Sequence, residues 1–138
     1  MVARRFEELE CWQLARELER QVFAFTATPP ASNDVEYCRQ IRKSSSSAPP
    51  NIAEGFGRYY PGDFARFTRN ALGSLNETRD HLGAGLDKQY LTEELHRELE
   101  ILVNRAIGAS VGLVKYLDEC KERWERERRT RRRRKPMR

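Results

Sequence analysis

The chain has 138 residues, of which 38% are hydrophobic and 34% are charged, and it carries a formal net charge of +5. This length suits one domain with one core, and the composition excludes both a wholly disordered chain and a transmembrane helix, which needs a run of about 18 apolar residues. Three cysteines outside any Cys-x-x-Cys pair, and an N-terminus without the apolar segment of a secretory signal, predict a cytoplasmic protein with no disulfide framework and no membrane partner.

The first predicted helix runs from about Phe6 to Thr26. Its apolar residues recur at steps of three and four, the spacing that places side chains on one face of a helix. The consecutive prolines Pro29 and Pro30 end it. The stripe that this spacing defines contains Phe6, Leu9, Trp12, Ala15, Leu18, Val22 and Phe25.

The second predicted helix begins after Asn33, a favoured N-cap residue, with Glu36 at the position that completes a capping box. A serine run, residues 44–47, lies in its middle and is followed by a proline pair that begins at Pro49. Pro49 has no N–H for the helix, so we expect a kink there, with serine hydroxyls bonded to nearby carbonyl groups. We expect Gly55 to end the helix as a left-handed cap.

The third and fourth predicted helices each begin with a favoured N-terminal residue. Pro61 suits the first turn of the third helix, and Thr92 is expected to cap the fourth. From Arg128 to Lys135 the chain is almost entirely basic, so we expect helical order to fade there. The seam of the fourth helix repeats every seven residues, as in left-handed bundles, and contains Leu95, Leu99, Leu102, Ala106, Ala109, Leu113 and Tyr116.

Four helices joined by short connections predict an all-α protein, an antiparallel up-down four-helix bundle with a basic C-terminal extension. We divide the chain into the bundle, residues 1–120, and the basic tail, residues 121–138, which is expected to pass from helical to disordered. A second apolar stripe of Ile107, Val111 and Val114 lies on another face of the fourth helix. Soluble monomers tend to avoid such a patch, so these three residues form the predicted oligomer interface.

Three stretches of the sequence resemble one known family. Residues 8–18 (ELECWQLAREL), 41–58 (IRKSSSSAPPNIAEGFGR) and 67–82 (FTRNALGSLNETRDHL) are similar to the intervening-sequence proteins, which are four-helix bundles encoded by inserts within bacterial 23S rRNA genes. The resemblance covers about residues 6–118. The sequence departs from the family pattern at residues 44–47, where alanine and valine are usual, and after residue 120, where the arginine-rich tail is longer.

The resemblance implies a bundle of this topology, assembly into homopentamers and no established enzymatic activity. A related branch comprises accessory proteins of diversity-generating retroelements, which bind nucleic acid and a reverse transcriptase. The resemblance marks Asn51, Glu54 and Gly55 as motif positions without a catalytic role. It implies nothing about the role of the tail.

No combination of residues in the sequence predicts catalysis, a cofactor or a metal site. Glu93 and His96 form one Glu-x-x-His motif, whereas a di-iron bundle needs two, and acidic residues are favoured in a first helical turn anyway. Neither Cys11 nor Cys120 is linked by the sequence to a histidine that would activate a thiol nucleophile.

Two clusters near the end of the second helix allow both a functional and a structural interpretation. Asn51, Glu54 and Arg58 either grip a ligand or RNA, or Glu54 pairs with Arg58 and supports the helix end. We favour the structural alternative for both clusters. The neighbouring aromatic residues either stack on nucleic-acid bases or cover one end of the bundle, and they are Phe56, Tyr59 and Tyr60.

The basic tail gives the clearest indication of function. It holds eleven Lys or Arg residues and three Glu, a net charge of +8, whereas residues 1–120 hold fifteen and eighteen, a net charge of −3. This asymmetry favours phosphate binding, while a solubility tail and binding to anionic lipid remain alternatives. Three pairs at i,i+4 spacing favour helix in the first half of the tail: Glu122/Arg126, Glu125/Arg129 and Glu127/Arg131.

The sequence therefore predicts a non-enzymatic, homo-oligomeric accessory protein that binds RNA or DNA with low sequence specificity. The alternative is an oligomeric scaffold or adaptor that binds a protein partner such as a reverse transcriptase. The predicted nucleic-acid-binding residues are Arg123, Arg126, Arg128, Arg129, Arg131, Arg132, Arg133, Arg134 and Lys135 in the tail, with Arg42, Lys43 and Arg58 on the bundle.

Overall fold

The computed structural model describes residues 3–136, so residues 1–2 of the predicted bundle and residues 137–138 of the basic tail lie outside the described range. Within it the chain forms four α-helices and two single 3₁₀ turns, with no strand. None of these helices has both the length and the apolar composition needed to cross a membrane. The helices are α1 (Glu10–Thr26), α2 (Val35–Phe56), α3 (Pro61–Asp87) and α4 (Glu93–Arg134).

The four helices enclose one apolar core, which confirms the predicted all-α bundle. Each helix packs against two others: α1 and α3 both contact α2 and α4. Fully buried alanines such as Ala15, Ala48 and Ala71 take up little space between the helix backbones. Larger side chains without exposed surface fill the core, and they include Leu18, Val22, Ile41, Ile52, Leu75, Leu82 and Val103.

Helix α2 begins one residue later than the sequence predicts. Asp34 is the N-cap, because its Oδ1 atom accepts a hydrogen bond from the Tyr37 N–H at 3.1 Å. Asn33 belongs instead to a 3₁₀ turn that precedes the cap. Glu36 therefore takes no part in a capping box and accepts a hydrogen bond from Arg39 at 2.6 Å.

Helix α2 is continuous through its proline pair, and the predicted kink stays a prediction. The hydroxyls of Ser44, Ser45 and Ser46 donate hydrogen bonds to carbonyl groups three or four residues earlier, at 3.1, 3.3 and 2.6 Å. The predicted bonding of these serines to backbone carbonyls is thus confirmed. These serine hydroxyls lie in α2 just before Pro49, which contributes no N–H to the helix.

Gly55 is not a left-handed cap, contrary to the prediction. No glycine in residues 3–136 has a positive φ, and α2 extends beyond Gly55 to Phe56. A Cβ atom on Gly55 would lie 2.8 Å from Cδ1 of Phe64 and 2.9 Å from Cβ of Phe67. Glycine is required here because α2 and α3 approach each other closely, as for any glycine that lets a backbone come near its neighbour.

Contacts near both ends of their interface join α2 to α3. The Tyr37 hydroxyl donates to the His81 carbonyl at 2.7 Å near one end. Gly55 meets Phe64 near the other end. The Arg69–Asp118 ion pair, at 2.5 Å, joins α3 to α4.

The predicted starts of α3 and α4 are confirmed. Pro61 is the first residue of α3. The Thr92 side chain accepts a hydrogen bond from the Leu95 N–H at 3.1 Å and caps α4. Both starts use residues whose preference for a helix N-terminus comes from their own chemistry rather than from packing.

The predicted seam of α4 is confirmed in part. Leu99 and Ala106 are buried, and four other predicted residues are half-buried against the core: Leu95, Leu102, Ala109 and Leu113. Tyr116, predicted to be buried, is 56% exposed, whereas Val114 is only 9% exposed. Helix α4 packs against both α1 and α3, so its core face is broader than a single heptad seam and turns with the 3.6-residue period. The buried residues of α4 are Leu99, Val103, Ala106, Ser110, Val114 and Leu117.

Candidate nucleic-acid interface

The basic tail continues α4 as an exposed helix. The sequence predicts that order fades from Arg128, whereas the helix extends to Arg134. Helix α4 has 42 residues and α3 has 27, which correspond to lengths of about 63 and 40 Å at 1.5 Å per residue. Helix α4 is therefore too long for both of its ends to be level with those of α3. Four consecutive arginines, residues 131–134, form the last turn, where positive charge interacts favourably with the helix dipole.

The basic side chains of the tail have no carboxylate partners among residues 3–136. None of the three glutamate–arginine pairs predicted at i,i+4 spacing closes to within 4 Å. Oε1 of Glu125 accepts a hydrogen bond from the Tyr60 hydroxyl at 3.1 Å instead. From Arg126 to Lys135 every residue is exposed. The positive charge of the tail is therefore available to an external polyanion.

The tail presents basic side chains in more than one direction. Arg128, Arg129 and Arg132 line one side of the helix, beside Glu125. A second side is lined by Arg123, Arg126, Arg131 and Arg134, together with Glu127 and Thr130. A helix with positive charge on several sides can meet phosphates along and around its length.

An aromatic contact joins the start of the tail to the α2–α3 connection. The rings of Tyr60 and Trp124 lie 4.7 Å apart between centroids, and the Arg128 guanidinium lies 5.3 Å from the Trp124 centroid. Burial, together with the hydrogen bond to Glu125, raises the pKa of the Tyr60 hydroxyl. This contact covers one end of the bundle, which is the structural alternative for Tyr60.

The three basic residues predicted on the bundle have different surroundings. Nε of Arg42 donates to Oγ1 of Thr26 at 2.8 Å, and its guanidinium lies 4.7 Å from the Phe23 ring centroid. The Arg42 side chain is therefore engaged by residues near the end of α1. Arg58 pairs with Glu54 at 2.8 Å, whereas Lys43 is exposed.

Asn51, Glu54 and Arg58 make contacts within α2 and with the start of α3. Nδ2 of Asn51 donates to the Ser47 carbonyl at 2.9 Å, within the same helix. The Arg58 guanidinium, besides its pair with Glu54, lies 5.0 Å from the centroid of the Phe67 ring. These contacts match the structural alternative for this set.

The histidines and cysteines do not gather into a metal site within residues 3–136, where no three metal-binding side chains come together. His96 lies 3.9 Å from Glu100 and is not paired with Glu93. Burial raises the pKa of the Cys11 thiol to about 11, which keeps it protonated and unreactive at neutral pH.

Sequence reasoning missed one part of this region. Trp124 and Tyr116 lie on α4, more than fifty residues from Tyr59, and helical periodicity does not bring such distant residues together. The signal that could have found them is composition. Trp124 is an aromatic residue among charged ones, and a tryptophan there has no amphipathic core face to join.

Comparisons with known proteins place the bundle but not the tail. A family model described as 23S rRNA-intervening sequence protein matches residues 7–109. The fold is similar to the crystal structure of a protein with unknown function from the S23 ribosomal protein family of Bacteroides thetaiotaomicron, with a TM-score of 0.70 and 21% sequence identity. That alignment covers 76% of this chain and 95% of the other. No curated protein matches the chain.

Proposed function

The chain belongs to the 23S rRNA-intervening sequence protein family, and from this premise we propose that it is a non-enzymatic, cytoplasmic accessory protein that binds RNA or other nucleic acid. The basic tail is the binding element in this proposal. One observation carries it: the exposed helix from Arg126 to Arg134 holds arginines that no carboxylate neutralises within the described range.

The chemistry of the tail favours phosphate over any other anion source. Arginine side chains release condensed counterions when they neutralise nucleic-acid phosphates, which makes affinity strongly dependent on salt. Such contacts position a nucleic acid without identifying its sequence. The tail has no apolar face that would insert into a lipid surface. A polyanionic strand therefore fits the tail better than a membrane does.

The test replaces the four arginines of residues 131–134 with glutamine and measures RNA affinity at several salt concentrations. A matched variant replaces the same four with lysine, which keeps both the charge and the helix propensity. We expect the glutamine variant to bind more weakly and with a shallower salt slope, by about 0.7 per lost phosphate contact on a single strand. The lysine variant should retain the slope. Equal affinity and slope in all three proteins would reject the tail as the binding element.

A scaffold that binds a protein partner, such as a reverse transcriptase, is the second candidate. Ile101 is 57% exposed and Val111 36% exposed on α4, outside the core of this chain. Exposed apolar side chains on one helix favour association with another protein surface. Binding that persists at high salt, where phosphate contacts weaken, would favour this candidate over the first.

We also propose that the chain assembles with copies of itself, as the family resemblance implies for homopentamers. Of the three predicted interface residues, Val114 is buried within its own chain and offers little surface to a partner. Ile107 is half-buried and packs against the core. Val111 is the predicted interface residue that remains exposed, and Ile101, ten residues earlier in α4, is exposed as well.

A further inference from the structure

A cleft lies where the basic tail leaves the bundle. It has a volume of about 330 Å³, and two exposed tyrosines stand at it: Tyr59, 92% exposed, and Tyr116, 56% exposed. Tyr59 comes from the α2–α3 connection and Tyr116 from α4, so two separate parts of the chain build this cleft. Its lining residues are Tyr59, Pro61, Tyr116, Cys120, Arg123, Trp124 and Glu127.

Contacts among its lining residues and their neighbours hold one wall of the cleft in place. Trp124 lies against Tyr60, whose hydroxyl bonds to Glu125, and Pro61 begins α3 directly after it. Tyr59 stands almost perpendicular to the Trp124 ring, at 80° and 6.3 Å between centroids, rather than lying flat on it. Packing does not account for Tyr59, because nearly all of its surface stays in solvent.

The charges around the cleft decide which part of a nucleotide would enter it. Arg123 lines the cleft and Arg126 follows it one turn along the same helix, so positive charge leads from the cleft into the tail. Glu127 lines the cleft as well, and its carboxylate repels a phosphate placed inside. A flat, uncharged group with phosphates on either side fits this arrangement.

We propose that this cleft takes an unpaired base of a single-stranded nucleic acid, which stacks on Tyr59 and Tyr116 while Arg123 and the tail hold the flanking phosphates. This inference rests on the proposed function and deepens it, because it names the form of nucleic acid that is bound. Aromatic platforms combined with basic grooves are the usual means of binding single strands. A base inside a duplex is already stacked on both faces and has no face to offer.

The test compares a single-stranded adenine oligonucleotide with a duplex of the same length, at one salt concentration. The proteins are the full chain, Tyr59→Ala and the matched variant Tyr59→Phe, which keeps the ring. We expect Tyr59→Ala to bind the single strand about tenfold more weakly, the loss typical of one stacked base. Tyr59→Phe should bind the single strand as the full chain does, and duplex affinity should be the same in all three proteins.

Trp124 supplies a second readout. In a Trp12→Phe background it is the one tryptophan, since the chain has two, and a base that enters the cleft should quench its fluorescence. Duplex at saturation should leave this fluorescence unchanged. Circular dichroism should not differ between the Tyr59 variants and the protein they derive from, because Tyr59 buries almost nothing.

The outcomes separate the inference from the proposal beneath it. Nucleic-acid binding that is equal for single strand and duplex, and unaffected by Tyr59→Ala, would overturn the stacking site and leave the tail as a phosphate-binding element. Absence of binding to either probe would overturn both. A fluorescence change with duplex equal to that with single strand would also contradict base entry into the cleft.

Discussion

The Thr78 hydroxyl donates a hydrogen bond to the Ser44 hydroxyl across the α2–α3 interface, at 2.9 Å and with both residues buried. One turn further along the interface the hydroxyls of Ser47 and Ser74 repeat this arrangement at 3.0 Å. Two hydroxyl pairs thus lie between α2 and α3, in addition to the hydrogen bond from Tyr37 to the His81 carbonyl. Because each hydroxyl must meet its partner, the pairs fix how α2 and α3 align along their length.

The first prediction concerns this pair, through a double-mutant cycle of Ser44→Ala and Thr78→Val. Each single substitution should lower the free energy of unfolding by about 0.5–1.5 kcal/mol, because it removes one partner of a buried hydrogen bond. The double variant should lose clearly less than the two single losses combined, since the one hydrogen bond that the two hydroxyls share can be lost only once. Urea denaturation measures all four proteins. Strictly additive losses would show that the two hydroxyls do not interact.

The second prediction concerns the close approach at Gly55. Gly55→Ala should destabilise the protein by about 1–3 kcal/mol, because the added methyl group overlaps Phe64 and Phe67 and forces α2 from α3. Gly73→Ala is the matched control in α3, where a Cβ meets nothing within 4 Å. That variant should gain up to about 1 kcal/mol from helix propensity alone. Melting temperatures that move in the same direction would contradict the argument.

The third prediction concerns stability at alkaline pH. Burial raises the pKa of the Cys11 thiol to about 11 from its ordinary 9.0. Between these values the unfolded chain has lost the proton that the folded chain keeps, so stability falls as pH rises through this window. Cys11→Ala should make the fall between pH 9 and 11 shallower, measured by urea midpoints at fixed protein concentration. Part of the fall should persist, because burial also raises the pKa of the Tyr37 hydroxyl. A slope unchanged by the substitution would exclude Cys11 as its source.

The fourth prediction concerns self-association. Val111→Glu should reduce the mass measured by light scattering towards the 16.2 kDa of one chain, because it places a charge at the exposed apolar residue of the proposed interface. Val35→Glu is the control with the same chemical change, at a position on α2 that is 75% exposed. It should leave the mass unaltered. A wild-type protein that already has the mass of one chain at micromolar concentration would remove the basis for this interface.

The fifth prediction separates two neighbouring basic residues of α2. Arg42→Ala should lower the free energy of unfolding by about 1–2 kcal/mol, because it removes a hydrogen bond to Thr26 and the contact with the Phe23 ring. Lys43→Ala should leave stability within about 0.5 kcal/mol, as expected for an exposed side chain. Salt-dependent RNA binding of Arg42→Ala should match that of the wild type. A large loss of affinity at unchanged stability would restore Arg42 as a binding residue.

Helix boundaries could be predicted from the sequence where a single residue determines the start of a helix. Pro61 and Thr92 mark helix starts through their own backbone and side-chain chemistry, and the α1 stripe from Ala15 to Phe25 follows one helical face. Gly55 was misjudged because two requirements lead to the same residue. A left-handed cap and a close helix contact both call for glycine, and only the position of Phe64 distinguishes them.

Of the candidate site, only the positive charge could be predicted from the sequence. The basic tail is evident from composition, whereas its helical path to Arg134 and its contact at Trp124 depend on residues far away in the chain. The α4 seam was predicted only in part for the same reason, with Tyr116 wrongly placed in it. Val114 is buried because α4 packs against two neighbouring helices of the chain. The spacing of residues along one helix does not reveal how many helices pack against it.

The hydrogen bond between Tyr60 and Glu125 marks a boundary in how freely the sequence can change. Before it, alanines such as Ala15 and Ala106 are fully buried, so these core positions tolerate few larger side chains. After it, every described residue from Arg126 onwards is exposed, so a change of composition there removes no buried side chain from the core. Substitutions in this exposed helix can therefore change the charge of the protein, and with it the affinity for a polyanion, while the stability of the bundle stays the same.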